Sequence, residues 1–301
     1  MTGGVGVVGV GALGRAFATR LHVAGFRVAV YDPSDEARTW ARVEGLDVAA
    51  TPRELASRCA TVLLAVPDTP EIFEALDGPD GLAGGLRPGT TVVVMSTVSP
   101  DTPLELGGRL KAQGVGVVDA PVSGGPDAAA EGALAIMVGG DDADVAAVRP
   151  VLAALGSHVV HVGPAGHGEL AKLVNNLVGA AIAVATAEGL ALAARAGLDI
   201  ERTREAIAGG SGGSWILEHW LSATAFRGDY RRRFGIDLMC KDLGLIADLA
   251  TRLDVDTPAL RLARATFEEA RLDGHGNDDF SIVVHRAARR GGSDAFQPRV
   301  S

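Results

Sequence analysis

The sequence predicts an α/β first half, a doubly wound parallel sheet, and an all-α second half joined to it by a long helix. Three observations carry this prediction. Short β-branched apolar runs alternate with helical stretches as far as Gly163 and then stop. Those runs are apolar along their whole length, the pattern of strands covered by helices on both faces. From Glu169 to Ala196 the chain is rich in Ala, Leu and Val and contains no proline, which predicts one long, largely buried helix.

In order, Val5–Val10 reads as a strand and Leu13–Ala24 as a helix, then Phe26–Asp32 as a strand and Ser34–Glu44 as a helix. Thr61–Pro67 and Thr91–Ser96 are further strands, followed by helical Glu71–Leu76 and Pro103–Gln113. Val115–Asp119, Leu134–Val138 and His158–Val162 complete the sheet. Gly163-Pro164-Ala165-Gly166 marks the boundary, giving domains of 1–163 and 164–301. Beyond the long helix, Arg202–Ala208, Ser214–Leu221, Ile236–Leu253 and Pro258–Leu272 read as helices, and Arg289–Ser301 as a mobile polar tail.

Composition narrows the function. The 28 Lys and Arg against 37 Asp and Glu leave a net charge of −9, without the basic footprint of a nucleic-acid binder. The 2 cysteines, Cys59 and Cys240, lie far apart, which fits a reducing compartment and offers no metal spacing. No basic residue precedes the first apolar run, so no export signal is read. The charge-free stretch Leu173–Ala187 falls short of the ~20 residues of a membrane span. The expectation is a cytoplasmic protein with neither membrane nor nucleic-acid partner. The 40 glycines in 301 residues are about twice the usual ~7% and lack a G-X-Y period, so they must serve local backbone geometry.

Gly9-x-Gly11-x-x-Gly14 runs from the first strand into the first helix. Glycine there permits a tight turn, lets the backbone approach a pyrophosphate, and brings helix and strand close together. The opening of the helix, Ala12, Leu13 and Gly14, then presents free N–H groups and a positive dipole end to the phosphates. Asp32 ends the second strand, 18 residues after Gly14, where a carboxylate accepts from the ribose hydroxyls of a dinucleotide. It also repels a 2′-phosphate, and Pro33 and Ser34 follow it where an arginine would attract one. NAD is therefore favoured over NADP, with Arg38 leaving NADP open.

Asp119-Ala-Pro-Val-Ser123-Gly124-Gly125 follows a strand. The Ser123 hydroxyl and the backbone N–H groups of Gly124 and Gly125 can hold a small carboxylate, although an ordinary turn has the same composition. Lys172 and Asn176 share one face of the long helix. Such a pair is usually a solvated face. Here Leu170, Ala171, Leu173, Val174 and Leu177 surround it, and a charge in that setting suggests a general acid or base. Lys241-Asp242, Trp215, His219 and Arg231-Arg232-Arg233 carry no assignment by themselves.

Together these blocks resemble the β-hydroxyacid dehydrogenase family, which includes 3-hydroxyisobutyrate dehydrogenase and tartronate semialdehyde reductase. The blocks are Gly6–Gly14, Asp119–Gly125 with Met137-Val-Gly-Gly140, Gly166–Asn176, and Lys241-Asp242 with Asp278-Asp279-Phe280-Ser281. The resemblance implies an N-terminal Rossmann sheet, a long linking helix and an all-α C-terminal domain that makes a homodimer or homotetramer. It implies interconversion of a small 3-hydroxy acid and its semialdehyde or ketone with NAD(P). Lys172 would be the acid/base, Asn176 would help hold the substrate, and Ser123, Gly124 and Gly125 would bind its carboxylate. Pro67, Asp68 and Thr97 would line the cofactor, and Lys241 would close over it. An imine reductase on the same scaffold commonly lacks this lysine, and a non-catalytic relative would have replaced it. 6-Phosphogluconate dehydrogenase needs a larger helical domain.

Overall fold

The computed structural model describes residues 3–299. The chain divides into two compact units, Met1–Lys172 and Leu173–Ser301, so the division falls inside the long helix.

The first unit opens with β1 (Gly4–Val8), α1 (Ala12–Val23), β2 (Val28–Tyr31), α2 (Asp35–Val43), β3 (Asp47–Val48) and α3 (Pro52–Arg58). It continues with β4 (Cys59–Leu64), α4 (Thr69–Asp77), β5 (Thr91–Val94), α5 (Asp101–Leu110) and β6 (Gly116–Asp119). Then come β7 (Val122–Ser123), α6 (Gly125–Glu131), β8 (Ala135–Gly139), α7 (Asp142–Leu155) and β9 (His158–Gly163). The helices start where local chemistry provides for their free N–H groups. Ser34 caps α2, Thr51 caps α3 with Pro52 behind it, and Asp68 caps α4 in a reciprocal capping box with Glu71.

The strands lie in the order β3-β2-β1-β4-β5-β6-β8-β7, and β9 pairs with β8. From β3 to β6 every pairing is parallel. The order reverses between β1 and β4, a switch point that opens a crevice at the carboxyl ends of the strands. Val7, Val30, Leu63 and Val93 pack one core, and Val8, Val62, Leu64 and Val92 belong to another. The two-sided covering predicted from the apolar runs is thus present. The all-parallel expectation is corrected: β8 runs antiparallel to β6 and β7 and parallel to β9. The elements β3, α3, β7, α6 and α7 had no place in the sequence-based prediction. The two strands are two residues long, α6 begins in a Gly-Gly-Pro turn, and α7 carries Pro150 inside it.

The long helix α8 spans His167–Arg195. Leu173, Ala180, Ala183, Val184, Ala187 and Leu190 on it join the core of the second unit. The helix is less buried than expected: within the chain only 33% of its most apolar stretch is covered. It also has the length and apolarity needed to cross a membrane, although its charge-free stretch Leu173–Ala187 alone does not. The remaining helices are α9 (Ile200–Ala208), α10 (Ile236–Arg252), α11 (Pro258–Ala270) and α12 (Ile282–Arg290). Ile216–Leu221 forms a π-helical turn where an α-helix was expected. The tail is not loose as far as residue 299. Tyr230 Oη donates to the Phe296 carbonyl at 2.7 Å, Phe296 packs edge-on against Phe226, and Arg299 N–H donates to Gly228 O.

Candidate active site

In the first unit the glycine loop is built as its spacing requires. Gly9 has φ +90°, and a Cβ on Gly14 would lie 1.9 Å from the Gly9 carbonyl oxygen. Only glycine lets α1 start so close to the end of β1. Gly11 is the N-cap of α1, makes no side-chain cap bond, and has nothing within 4 Å of where its Cβ would stand. Ala12, Leu13 and Gly14 form the first turn, so their N–H groups have no acceptor within the helix. An open cradle of backbone donors fits the pyrophosphate of a dinucleotide. At the end of β2, Asp32 accepts from Val10 N–H at 2.7 Å and from Ser34 N–H at 2.8 Å, which fixes its carboxylate beside the loop. Arg38 turns its guanidinium to the carbonyls of Asp32 and Pro33, at 2.7 and 2.9 Å, and to the Asp35 carboxylate.

Pro67 and Asp68 follow β4, and Thr97 follows β5. The Asp68 carboxylate caps α4, and the Ser96 hydroxyl donates to the carbonyls of Leu64 and Val66, tying these two strand ends together. The residues of the first unit expected around a cofactor therefore stand at the carboxyl ends of β1, β2, β4 and β5, whereas Lys241 lies in α10 of the second unit. Ser123 ends β7, and Gly124, with φ +129°, turns the chain into α6. A Cβ there would lie 2.8 Å from that of Ala128.

Lys172 is buried in the second turn of α8, at 7% exposure. Two carboxylates that the sequence did not single out tie down the start of this helix, one from outside it and one from its own first turn. Asp119, fully buried at the end of β6, accepts from Gly166 N–H at 2.7 Å and from Glu169 N–H at 2.9 Å. Burial pushes the Asp119 pKa up, and the backbone N–H groups of Gly166 and Glu169 pull it back. Glu169, also fully buried, accepts from Val98 N–H at 3.1 Å. A charge inside an apolar frame was the available signal: Val117-Val118-Asp119-Ala120, and Glu169 three residues before Lys172.

In the second unit Asn176 is buried and donates from Nδ2 to Asp242 Oδ2 at 2.7 Å, while Lys241 Nζ stands 3.4 Å from Asp242 Oδ1. Asp242, at 1% exposure, therefore links the two residues the resemblance selected, 66 positions apart in the case of Asn176. Asp279 is a second buried hub. It accepts from Trp220 Nε1 and from the N–H groups of Arg233, Phe234 and Ser281. Trp215 is exposed and stacks on His219, with centroids 5.4 Å apart. Arg231 and Arg233 pair with Asp229, and together they hold its carboxyl below the usual range. Burial raises the Cys59 and Cys240 thiols to about 11, which leaves them protonated and unreactive near neutral pH.

Comparison with known proteins gives this arrangement its context. Residues 4–163 match the family described as the NAD binding domain of 6-phosphogluconate dehydrogenase. Residues 166–287 match the NAD-binding family of NADP-dependent 3-hydroxyisobutyrate dehydrogenase. The L-threonate dehydrogenase of Cupriavidus necator is 35% identical over 94% of this chain and 96% of its own. The chain belongs to the β-hydroxyacid dehydrogenase family. Another relative, the NAD-dependent L-serine dehydrogenase of Pseudomonas aeruginosa, is 33% identical over 93% of this chain and 96% of its own. The 3-hydroxyisobutyrate dehydrogenase of Mycobacterium tuberculosis, solved with L-serine, superposes with a TM-score of 0.85 at 30% identity, covering 95% of this chain and 99% of that one. A β-hydroxyacid dehydrogenase uses NAD(P), and the open cradle of backbone donors over α1 fits a pyrophosphate.

Proposed function

We propose that this chain is a cytoplasmic, NAD-preferring dehydrogenase that interconverts a small 3-hydroxy acid and its semialdehyde or ketone, with Lys172 as the general acid/base. The observation that carries this reading is Lys172 itself. A buried amine stands on a helix whose start is bonded to Asp119, four residues before the Ser123-Gly124-Gly125 loop. In this reading the loop's hydroxyl and N–H groups hold the substrate carboxylate. Bound NAD supplies the hydride acceptor. In oxidation the neutral Lys172 amine takes the proton of the β-hydroxyl, and in reduction its ammonium returns that proton to the carbonyl oxygen. Asn176 helps hold the substrate, its amide oriented by Asp242. Gly9, Gly11 and Gly14 seat the pyrophosphate, Pro67, Asp68 and Thr97 line the cofactor, and Lys241 covers it.

The preference for NAD rests on Asp32 and on Arg38, whose donors are directed to backbone carbonyls and to Asp35 and not outward to a phosphate. The reading as a homo-oligomer is supported by α8, where Val174, Val178 and Leu192 are 57%, 52% and 73% exposed on a predominantly apolar helix. The relatives act on L-threonate and L-serine, and 3-hydroxyisobutyrate and tartronate semialdehyde belong to the same chemical class. The test is a panel of these four compounds with NAD(H) and NADP(H), read as nicotinamide absorbance. Turnover of at least one with NAD(H) ahead of NADP(H) is expected. No turnover of any contradicts the reading.

A further inference from the structure

Most capped helices in this chain take their cap from the residue just before them: Ser34 for α2, Thr51 for α3, Asp68 for α4 and Asp199 for α9. The start of α8 is held differently. Its N–H donors at Gly166 and Glu169 go to one carboxylate, Asp119, which lies 47 and 50 residues away at the end of β6. This is a tertiary anchor and not a local cap. Charge-assisted bonds to backbone N–H groups are roughly twice as strong as neutral ones, and here they lie along the positive end of a long helix. Glu169 adds a second tie by accepting from Val98 N–H, beyond β5. Steric fit completes the anchor. A Cβ on Gly168 would stand 2.5 Å from the Met137 carbonyl oxygen and 2.8 Å from both Asp119 O and Oδ2, so the first turn of α8 lies against β6 and β8 with no space between.

Resting on the assignment of Lys172 as the acid/base, we propose that Asp119 is its positioning residue. By binding the N–H groups of Gly166 and Glu169, Asp119 fixes the height and rotation of the helix turn that presents Lys172. The same residue begins the segment that continues through Val122 to Ser123, Gly124 and Gly125. The proton-transfer group and the carboxylate-holding loop are thereby set on one rigid piece of the first unit. Two buried carboxylates at a helix start carry a desolvation cost that a local serine or threonine cap would avoid. Placement accurate to a fraction of an ångström is what that cost secures, because a displacement of about 1 Å can slow a reaction 10²-fold.

The test uses two variants that displace the helix start by different means. Asp119→Asn keeps the shape but turns an N–H₂ group toward a backbone donor, and Gly168→Ala drives a wedge while leaving Asp119 intact. For both, kcat on the fastest substrate of the panel above is expected to fall about 10- to 100-fold, with NADH Kd unchanged within about twofold. Amide hydrogen exchange at residues 166–172 is expected to quicken, with β1, β4 and β5 unaffected. Parental kcat in both variants overturns the proposal. So does a loss of kcat that runs in step with NADH binding, which is the mark of a purely structural role. Lys172→Ala, measured in parallel, separates the two readings. Its exchange pattern should match the parent, and if it also keeps parental turnover the Lys172 assignment fails while the anchor at Asp119 is judged by the exchange data alone.

Discussion

The two units differ in where their polar donors come from. In the α/β unit the donors proposed to serve the site are backbone N–H groups, in the first turn of α1 and the Ser123-Gly124-Gly125 loop, and the start of α8 is held through the amides of Gly166 and Glu169. In the helical unit side chains take a larger part: Asn176 with Asp242 and Lys241, and Trp220, which joins the backbone N–H groups of Arg233, Phe234 and Ser281 at Asp279. The fold explains the difference. A strand-to-helix turn leaves up to four N–H groups per helix without an internal acceptor, whereas the interior of a helix satisfies its own backbone. Within its helices such a unit can present polarity inward only through side chains, and each of these must then be paired.

This contrast predicts where substitutions cost most. In the helical unit, Asp242→Ala strips the buried Asn176 amide of its acceptor and Lys241 of its nearby carboxylate. It should destabilise the protein by about 1–3 kcal/mol, the cost of a buried group left unsatisfied, in denaturant titration. A change below a few tenths of a kcal/mol would break the contrast. In the α/β unit the side chain should matter less than the backbone. Gly124→Ala, which forces an L-residue to φ +129°, is expected to cost about 1–2 kcal/mol and to raise substrate KM, while removing only the hydroxyl with Ser123→Ala has the smaller effect on both. The reverse order would place the function of that loop in its side chain. The smallest effect concerns pH in the helical unit. Burial and, next, the charge of Arg289 lower the His285 pKa below the ordinary value of 6.5. The neutral imidazole is therefore the form the fold favours. The stability it confers is full above the unfolded value and is lost as pH falls through the lower, folded one. Tm should decline less on acidification in His285→Gln than in the parent, and parallel declines would remove this role.

The same contrast governs how much the sequence discloses. Backbone geometry requires glycine at Gly9, Gly14 and Gly124, so these mark the proposed α/β site in the sequence, and strands buried on both faces mark the sheet. Asp32 could be placed because it ends a strand at a set distance from the loop. Side-chain pairs leave no such trace. Asn176 and Asp242 are 66 residues apart, and nothing local to either predicts the other. Asp119 was legible only as the first letter of a loop motif, since its partners lie 47 and 50 residues on. The antiparallel pairing of β7 with β8 leaves no mark in the sequence because pairs two residues long show no periodicity. The docked tail depends on Phe296 meeting Phe226, a contact that a polar, glycine-containing stretch does not advertise.

The central claim is that Lys172 moves the proton. It is tested most directly by following turnover of the four-compound panel by the parent and by Lys172→Ala at a pH near neutrality, with NADH binding measured on the same samples. The expected result is a fall in kcat of about 10²- to 10⁴-fold in both directions of the reaction, with NADH Kd unchanged. Turnover at the parental rate by the variant, with NADH bound as tightly, would contradict it.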